Sequence, residues 1–599
     1  MSTPPRWDLT NVYPSLESRE YAAAVKEYKS QVAAMNRFFD RTLSHAGPRT
    51  PVVKVAPLVG QAIDRINRIQ ELSGTIGPFL YAYVTTDSRN ALANRLMSEW
   101  EQASLPMDTV YVRLRRWLGA LEPKLGLIMK KNKTAREHAL MLREAVQQSR
   151  FQMSDDLEAL ASELSLSGGS AFEKLQGTVT SQLSVDFELD GKMQKLPMPA
   201  LINLRSHADE STRRRGYEAE NKAWESVKET LAACLNGVKG HTGTLDKRRG
   251  RKAAVDAALD AARIDRKTLD AMLGAMQASF PMFRTYFQAK AKKLGKDKLP
   301  WWDIFAPLGS TTRVYSFEQA RDFILENFGK FSPDLRLFAK RAFDNRWIDA
   351  EQRDGKRGGA FCMGIARVKE SRVLCNFDGS WTQVSTLAHE LGHGFHDSCA
   401  FAAGKTELQQ RTPMTLAETA SIMCETIVTE AVLAETQDPQ ERLAVLEAQI
   451  QNAAQIVVDI YSRYIFETEV FERRRKAELS ADDFCEIMER AQKATYGDAL
   501  DERYLQKYMW TWKPHYYSPG LSFYNFPYSF GLLFATGLYA IYRRRGPEFV
   551  EDYKNLLAST GEVRPAVLAK RFGIDIRTPA FWEDSLAVIG RQIDQFCRN

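Results

Sequence analysis

The chain has few cysteines and few histidines, and it contains no long run of apolar residues. Its seven cysteines are spread thinly and include no Cys-x-x-Cys pair, which is typical of reduced thiols in a cytoplasm. The longest strongly apolar stretch, residues 530–542, is too short to cross a bilayer and predicts a buried helix. No basic start followed by an apolar segment marks a secretory signal at the amino terminus. We therefore expect a cytoplasmic protein without a membrane span.

Basic and acidic residues are not segregated along the chain. Its 82 basic and 75 acidic residues are interspersed, so the net charge of +7 predicts no basic surface for nucleic acid. A content of 44% apolar and 26% charged residues is that of an ordinary globular protein. At 599 residues the chain is long enough for at least two packed lobes. Its oligomeric state is left open.

Apolar residues recur at helical spacing along most of the chain, as at Val25, Tyr28, Val32, Met35 and Phe39. This pattern predicts a mainly α-helical fold.

Two short segments instead show the pattern of β-strands. Apolar and polar residues alternate over residues 183–189 and lead into Asp190-Gly191, which predicts a β-hairpin. The apolar run over residues 372–377 predicts a second strand. We place a domain boundary after the hairpin, dividing the chain into residues 1–205 and residues 206–599.

Three of the eight histidines fall close together, at His389, His393 and His396. Residues four apart project from one face of a helix, so His389 and His393 can offer two imidazole nitrogens to one zinc ion. Glu390 would lie beside the open position of the metal, where its carboxylate can take a proton from zinc-bound water. The alternative is an amphipathic helix that carries this pattern by chance. The presence of a third ligand would distinguish a zinc site from such a helix.

The identity of the third ligand separates the known classes of zinc peptidase. A metzincin requires a histidine ten residues after His389, but Cys399 occupies that position, so this class is excluded. The remaining common solution is a glutamate from a following helix.

Such a helix is predicted to begin after Thr-Pro at 412–413 and to carry Glu418 and Glu425 two turns apart on one face. Thr415 and Glu418 also fit a capping box, so spacing alone leaves Glu418 open between metal ligand and helix cap. Glu425 is either an acceptor behind a ligand imidazole or a solvated helix charge.

Together these residues resemble the thimet oligopeptidase and oligoendopeptidase F group of zinc metallopeptidases. The segment from His389 to His396 is similar to that group's signature. The interval to Glu418, followed by Thr-Ala-Ser and then Glu425, matches where the group places its third ligand and a supporting glutamate. The resemblance therefore implies that Glu418 is the third zinc ligand and that Glu425 supports a ligand. We expect His396 to lie behind a ligand or to pack in the core rather than to bind the metal, because two histidines and a glutamate already leave zinc one open position.

The similarity covers most of the chain and is closer to the oligoendopeptidase F branch. It includes the stretches Trp7-Asp-Leu-Thr-Asn-Val-Tyr-Pro14, Trp302-Asp303-Ile-Phe-Ala-Pro307 and Gly355-Lys-Arg-Gly-Gly-Ala-Phe-Cys362. The resemblance implies a two-lobed helical clamshell, a zincin of the gluzincin type, with one zinc ion at the floor of a channel that admits short unfolded peptides. Residues 1–205 would form a wall or lid of the channel, and residues 206–599 the catalytic domain.

A tyrosine-rich stretch follows from His515 to Gly531. A peptidase needs hydrogen-bond donors for the oxyanion that forms during the reaction, and imidazole and phenol groups can supply them. By resemblance, His515, Tyr524 and Tyr528 match the positions that line the site, although Gly531 stands where thimet oligopeptidases place a further tyrosine. Packing in a buried core is the alternative role for each of the three.

We expect an endopeptidase that hydrolyses internal bonds of short unfolded peptides, with an extended substrate paired to the strand at 372–377. A zinc carboxypeptidase on a related helical fold and a non-catalytic peptide-binding protein are the alternatives. Manganese or cobalt could occupy the same ligands under other conditions.

Overall fold

The computed structural model describes residues 3–310 and 313–598, and it confirms a mainly helical fold with small sheets. Packing divides the chain into two compact units of three segments each. The first unit comprises Met1–Phe151, Arg313–Ala434 and Ile541–Ile574, and the second comprises Gln152–Thr312, Glu435–Ala540 and Asp575–Asn599. The functional division at residue 205 follows a different criterion and stays a prediction.

The first unit contains fourteen α-helices, counting those that lie mainly within it and only in its described residues. They are α1 (Arg19–Arg41), α2 (Val52–Thr86), α3 (Ala91–Ser104), α4 (Pro106–Ala120), α5 (Leu125–Lys131), α6 (Lys133–Glu137), α7 (Ala139–Ser149), α14 (Phe317–Phe331), α15 (Pro333–Asp344), α16 (Trp381–Ala402), α17 (Met414–Ala417), α18 (Thr419–Glu435), α23 (Phe549–Ala558) and α24 (Pro565–Arg571).

The second unit contains the remaining helices of the described chain. They are α8 (Asp155–Ser167), α9 (Gly169–Gln182), α10 (Met198–Asn203), α11 (Glu210–Arg248), α12 (Asp256–Ala262), α13 (Arg266–Lys293), α19 (Pro439–Ala454), α20 (Ile460–Arg474), α21 (Ala481–Tyr496), α22 (Phe526–Arg545) and α25 (Pro579–Arg598). A π-helical segment, Gln455–Asp459, joins α19 to α20.

Helix α1 shows how the periodic pattern produces the core of the first unit. Its N-cap Ser18 accepts a hydrogen bond from the backbone N–H of Tyr21, which satisfies one free donor at the helix start. Residues at spacings of three and four, including Tyr28, Val32 and Met35, are buried against the neighbouring helices. The helix predicted from this pattern is confirmed.

The predicted hairpin is also confirmed, with strands β1 (Ser184–Leu189) and β2 (Lys192–Pro197) pairing antiparallel. The two turn residues, Asp190 and Gly191, have φ of 52° and 73°. Positive φ at both positions is what a two-residue hairpin turn requires, and it suits aspartate and glycine better than other residues.

A three-stranded sheet lies in the first unit with strand order β3-β5-β4. Strand β5 (Glu370–Leu374) pairs parallel with β3 (Ile348–Asp349) and antiparallel with β4 (Phe361–Ile365). The strand predicted at 372–377 is observed at Glu370–Leu374 and is central, so the expectation that a substrate pairs with it is wrong, because both of its sides are occupied. The edge strands are β3 and β4.

The apolar stretch at residues 530–542 forms the buried part of α22, as predicted. Among the described residues, no helix combines the length and the apolar character needed to cross a membrane.

Candidate metal centre

Helix α16 presents the paired histidines. Its N-cap Ser380 accepts a hydrogen bond from the backbone N–H of Gln383, and most of its side chains pack in the core of the first unit. The rings of His389 and His393 lie 5.0 Å apart on one face, and each side chain retains 25% of its exposure. Both imidazoles are therefore held by the helix while remaining accessible to a ligand.

Glu418 reaches the two histidines from a break between helices. The helix predicted to continue through Glu425 is interrupted at Glu418, which ends α17 with φ −84° and ψ 4° before α18 begins at Thr419. The N-cap of α17 is Pro413, so Thr415 does not occupy the position of a capping-box residue. The Glu418 side chain instead accepts a hydrogen bond of 2.8 Å from Ser421 Oγ.

The three side chains fit the dimensions of a zinc site. Glu418 Oε2 lies 3.3 Å from His389 Nε2 and 3.5 Å from His393 Nε2, and the three ligand atoms all lie within 4.8 Å of one another. Ligand atoms at about 2.0–2.1 Å from a tetrahedral zinc ion are separated by about 3.3–3.4 Å. The two measured distances are close to that separation, so the residues fit the metal that their chemistry implies.

A second glutamate lies behind one of the imidazoles. Glu425 Oε2, on α18, lies 3.1 Å from His389 Nδ1. A carboxylate there favours the proton on Nδ1, so that Nε2 is the nitrogen left to bind a metal ion. This geometry is the one expected of a residue that orients a metal ligand.

The electrostatics of the cluster favour a bound cation. Burial lowers the pKa of His393 to about 4 and keeps this imidazole neutral. Burial acts in the same direction on His389, but hydrogen bonds to Glu418 and Glu425 raise its pKa to about 10. Burial raises the pKa of Glu418, yet hydrogen bonding to His389 and the charges of both histidines bring it down to about 2. A divalent cation would replace the proton that these groups otherwise share.

Glu390 differs from the ligand carboxylate in its surroundings. It is 7% exposed, and burial raises its pKa to about 7. A carboxyl group that is buried beside the ligands has the basicity of a proton acceptor.

Sequence reasoning missed the residue that lets α16 approach the start of α18. A Cβ atom added to Gly392 would lie 2.6 Å from the carbonyl oxygen of Ala420 and 2.6 Å from Ser421 Cα. No side chain fits between two backbones at this distance, so glycine sets how closely Glu418 approaches the histidines. An isolated glycine inside a helical pattern is the signal that could have identified it.

Replacing Gly392 with alanine is expected to lower both stability and metal affinity. The added methyl group must push apart two backbones, and overpacking of this kind costs about 1–3 kcal/mol. Thermal unfolding and metal titration would measure the two effects. Gly126→Ala, at an exposed helical position with nothing within 4 Å, is the matched control and should unfold no earlier than the parent protein. Equal behaviour of the two variants would contradict the role of Gly392.

His396 is not part of the ligand cluster formed by His389, His393 and Glu418. Its Nε2 lies 2.9 Å from Thr560 Oγ1, which in turn lies 2.7 Å from Thr412 Oγ1. Burial lowers the pKa of His396 to about 4, so the ring is neutral. These contacts tie α16 to the loops at Thr412 and Thr560, and the role of His396 stays a prediction.

The loop before the edge strand β4 is held by a buried lysine. The Lys356 side chain is 1% exposed and its ammonium donates to the carbonyl oxygens of Asp349, Glu351 and Cys375 at 2.6–3.1 Å. Asn376 Nδ2 donates to two further carbonyl oxygens of the same loop, those of residues 357 and 359. The glycine-rich segment at 355–359 is therefore fixed against the end of β5.

Replacing Lys356 with methionine should destabilise this loop by about 1–3 kcal/mol, because the buried ion pair with Asp349 is lost and the carbonyl oxygen of Cys375 loses a short hydrogen bond. Arg353 would still pair with Asp349, so the carboxylate itself keeps a partner. Urea unfolding monitored by circular dichroism measures the change. The control Lys340→Met removes an exposed lysine that pairs with Asp344 one helical turn away, and it should cost less than about 1 kcal/mol. A loss no larger than that of the control would contradict the prediction.

The other predicted site residues belong to the second unit. His515 lies in the short 3₁₀ helix Pro514–Tyr517, and burial together with nearby cations lowers its pKa to about 3. Its Nε2 is buried without a hydrogen-bond partner among the described residues. The hydroxyl groups of Tyr524 and Tyr528 lie 3.0 Å apart, and both side chains are half-buried. The roles of all three residues stay predictions.

Similarity to known proteins extends over nearly the whole chain. An oligoendopeptidase F homolog of Lactococcus lactis subsp. lactis (strain IL1403) is 24% identical over 614 residues, covering 98% of this chain and 96% of its own length. Oligopeptidase PepF of Bacillus subtilis (strain 168) is 23% identical over 603 residues, covering 98% of this chain and 86% of its own.

Solved structures share the fold. The oligoendopeptidase F of Enterococcus faecium superimposes with a TM-score of 0.68 at 18% identity, covering 96% of this chain and 97% of its own. A protein of Chlamydophila abortus assigned as a peptidase superimposes with a TM-score of 0.84 at 17% identity and full coverage of both chains.

A family model supplies the assignment. The model of peptidase family M3 matches residues 203–588, which is well over half of the chain and includes the candidate site residues His389, Glu390, His393 and Glu418. The chain belongs to peptidase family M3.

Proposed function

We propose that this peptidase is a zinc-dependent endopeptidase that cuts internal bonds of short, unfolded peptides. The observation that carries the proposal is the arrangement of His389, His393 and Glu418 at the separations of a tetrahedral site, with Glu390 buried on the same helix. The relatives named as oligopeptidases and oligoendopeptidases support the substrate class. One zinc ion per chain follows from the single ligand cluster found in the described residues.

Each residue of the cluster has a distinct task in this proposal. Zinc, when bound, supplies a Lewis acid that polarises the scissile carbonyl and makes water more acidic. His389, His393 and Glu418 hold the ion, and Glu425 keeps His389 in the tautomer that leaves Nε2 free to bind. The Glu390 carboxylate takes a proton from the attacking water and delivers it to the leaving amine.

The substrate backbone is proposed to pair with the edge strand β4. Strand β4 is the longer of the two edge strands of the three-stranded sheet, and the loop before it is held in place by Lys356. Main-chain hydrogen bonds to an edge strand bind an extended peptide without reading its side chains. We therefore expect broad specificity, and a sharp requirement for one side chain would contradict this mode of binding.

His515, Tyr524 and Tyr528 are proposed to donate hydrogen bonds to the oxyanion of the reaction. The unpartnered ring nitrogen of His515 and the paired tyrosine hydroxyls are polar groups that a substrate could engage. Measuring kcat for Tyr524→Phe and Tyr528→Phe separately identifies the donor, and full activity in both variants would remove the tyrosines from the mechanism.

A cytoplasmic location is proposed because all seven cysteines are unpaired thiols, most of them buried. Cell fractionation with antibody detection tests it, and recovery from an oxidising compartment would contradict it.

Digestion of a defined peptide mixture by the purified protein, with products identified by mass spectrometry, tests the proposed activity. We expect internal cuts in short peptides that stop when a chelator removes the metal and resume when zinc is restored. Stepwise loss of carboxyl-terminal residues would show a carboxypeptidase instead. No cleavage by zinc-loaded protein would overturn the proposal.

A further inference from the structure

A small cavity in the second unit is lined by groups that donate hydrogen bonds. It lies between α10, α11 and two loops, has room for about one water-sized group, and has a polar lining that includes Arg205, Glu220, Trp302 and Trp512. None of these residues has a task in the proposed hydrolysis. The cavity is therefore a separate feature of the fold.

The donors around this cavity lack acceptors among the described residues. The indole N–H groups of Trp302 and Trp512 are buried without a hydrogen-bond partner, and Trp302 is only 5% exposed. No carboxylate of the described chain lies within 4 Å of the Arg205 guanidinium, which rests 4.0 Å from the Phe305 ring centroid. Buried donors without partners cost about 1–3 kcal/mol each, so an acceptor is missing from the cavity.

The carboxylate that lines the cavity, Glu220, uses one of its two oxygens for hydrogen bonds to neighbouring side chains. Its Oε1 accepts hydrogen bonds from Trp224 Nε1 at 3.1 Å and from Gln506 Nε2 at 3.0 Å. Burial raises the pKa of Glu220 to about 7, so its negative charge is itself unfavourable. Glu220 does not satisfy the indole N–H groups of Trp302 and Trp512.

The charges around the cavity leave one positive charge in excess. Arg205, Arg463 and Lys513 interact electrostatically, and the carboxylates that act on this group are Glu220 and Asp459. Asp459 is paired with Arg463, and both side chains are at most 10% exposed.

The other charged groups nearby are already compensated. Arg213, also in the wall, is compensated by Asp303, and Lys239 is paired with Glu467. Burial lowers the pKa of both Arg205 and Lys513, and the charge of Arg463 acts in the same direction on each of them.

We propose that the cavity binds a small monovalent anion of the size of chloride, held by the Arg205 guanidinium and the indole N–H groups of Trp302 and Trp512. An anion at this place satisfies three donors and neutralises the excess charge at once. Loss of the proton from Lys513, with water filling the cavity, is the competing arrangement. Trp512 and Lys513 directly precede the 3₁₀ helix that carries His515, so the bound anion would also fix the start of that segment.

Halide binding tests this proposal without using peptidase activity. Protein prepared in sodium gluconate is titrated with sodium chloride or bromide at constant ionic strength while its thermal unfolding is followed. A specific site gives a saturable rise in Tm that depends on the halide concentration. Crystals soaked in bromide should show an anomalous peak in the cavity, beside Arg205.

Two variants and a control make the test specific. Arg205→Met should abolish the saturable rise, and Trp512→Phe, which removes one donor and keeps an aromatic ring, should raise the halide dissociation constant about tenfold. Arg266→Met removes an exposed arginine of the same unit that pairs with Asp270, and it should respond as the parent does. Absence of bromide from the cavity, or an unchanged halide response in both cavity variants, would overturn the proposal in favour of a neutral Lys513.

Discussion

Glu390→Gln is expected to lower kcat for peptide hydrolysis by about 10²- to 10⁴-fold while zinc stays bound, because an amide cannot accept the proton that a general base removes. The substitution keeps the size of the side chain, and Glu390 makes none of the short contacts that join His389, His393 and Glu418. Single-turnover rates at saturating peptide, together with the zinc content by mass spectrometry, measure the two properties separately.

Glu407→Gln is the matched control for this experiment. Burial, together with the charge of Glu71, raises the pKa of Glu407 to about 7, as burial does for Glu390, but Glu407 lies in the loop after α16 and not beside the ligand atoms. It should hydrolyse peptides at nearly the parent rate. Unchanged hydrolysis by a fully zinc-loaded Glu390→Gln protein would remove Glu390 from the mechanism.

The helices and the hairpin could be predicted from the sequence because local patterns determine them. The apolar spacing around Tyr28 and Val32 is sufficient for α1, and Asp190-Gly191 is sufficient for the turn, because only positive φ values close a two-residue hairpin. These features depend on residues that are neighbours in sequence.

The sequence-based predictions failed where segments that are distant in the sequence contact each other. The residues from 414 to 425 are compatible with one continuous helix, and the break at Glu418 accompanies the close approach of α16 at Gly392. The apolar run at 372–377 predicts a strand but not its neighbours, so its central position between β3 and β4 could not be read from it. Pairing of strands is a long-range property that periodicity does not encode.

In the candidate site, too, residues close together in the sequence could be predicted, whereas contacts between distant segments could not. His389, Glu390 and His393 could be identified because one turn of helix brings them to a single face. Glu418 was undecided by spacing and needed the family resemblance, since its contact with both histidines spans a loop and a helix break. Lys356 was missed because a lysine in a glycine-rich loop carries no sign of burial in its sequence context.

The two glutamates near His389 are expected to differ in how strongly they control the metal. Glu418→Gln replaces the anionic ligand by a neutral amide, so the protein as purified should contain little zinc and show no measurable peptidase activity. Glu425→Gln should keep zinc at full occupancy when the metal is in excess, with an affinity lowered about 10- to 100-fold, since Glu425 acts on the metal only through His389 Nδ1. Zinc content after dialysis and competition with a coloured chelator measure both values.

The decisive result is which of the two variants, Glu418→Gln or Glu425→Gln, loses more zinc. Glu418 Oε2 lies near the Nε2 atoms of both histidines, whereas Glu425 lies near Nδ1 of one of them, and a single ion cannot be coordinated from both sides of the same ring. A larger loss of zinc in Glu425→Gln than in Glu418→Gln would therefore mean that His389 binds the metal through Nδ1 and that the ion lies on the Glu425 side of the ring. The expected order places the ion between the two Nε2 atoms, on the face of α16 from which Glu390 can reach the attacking water.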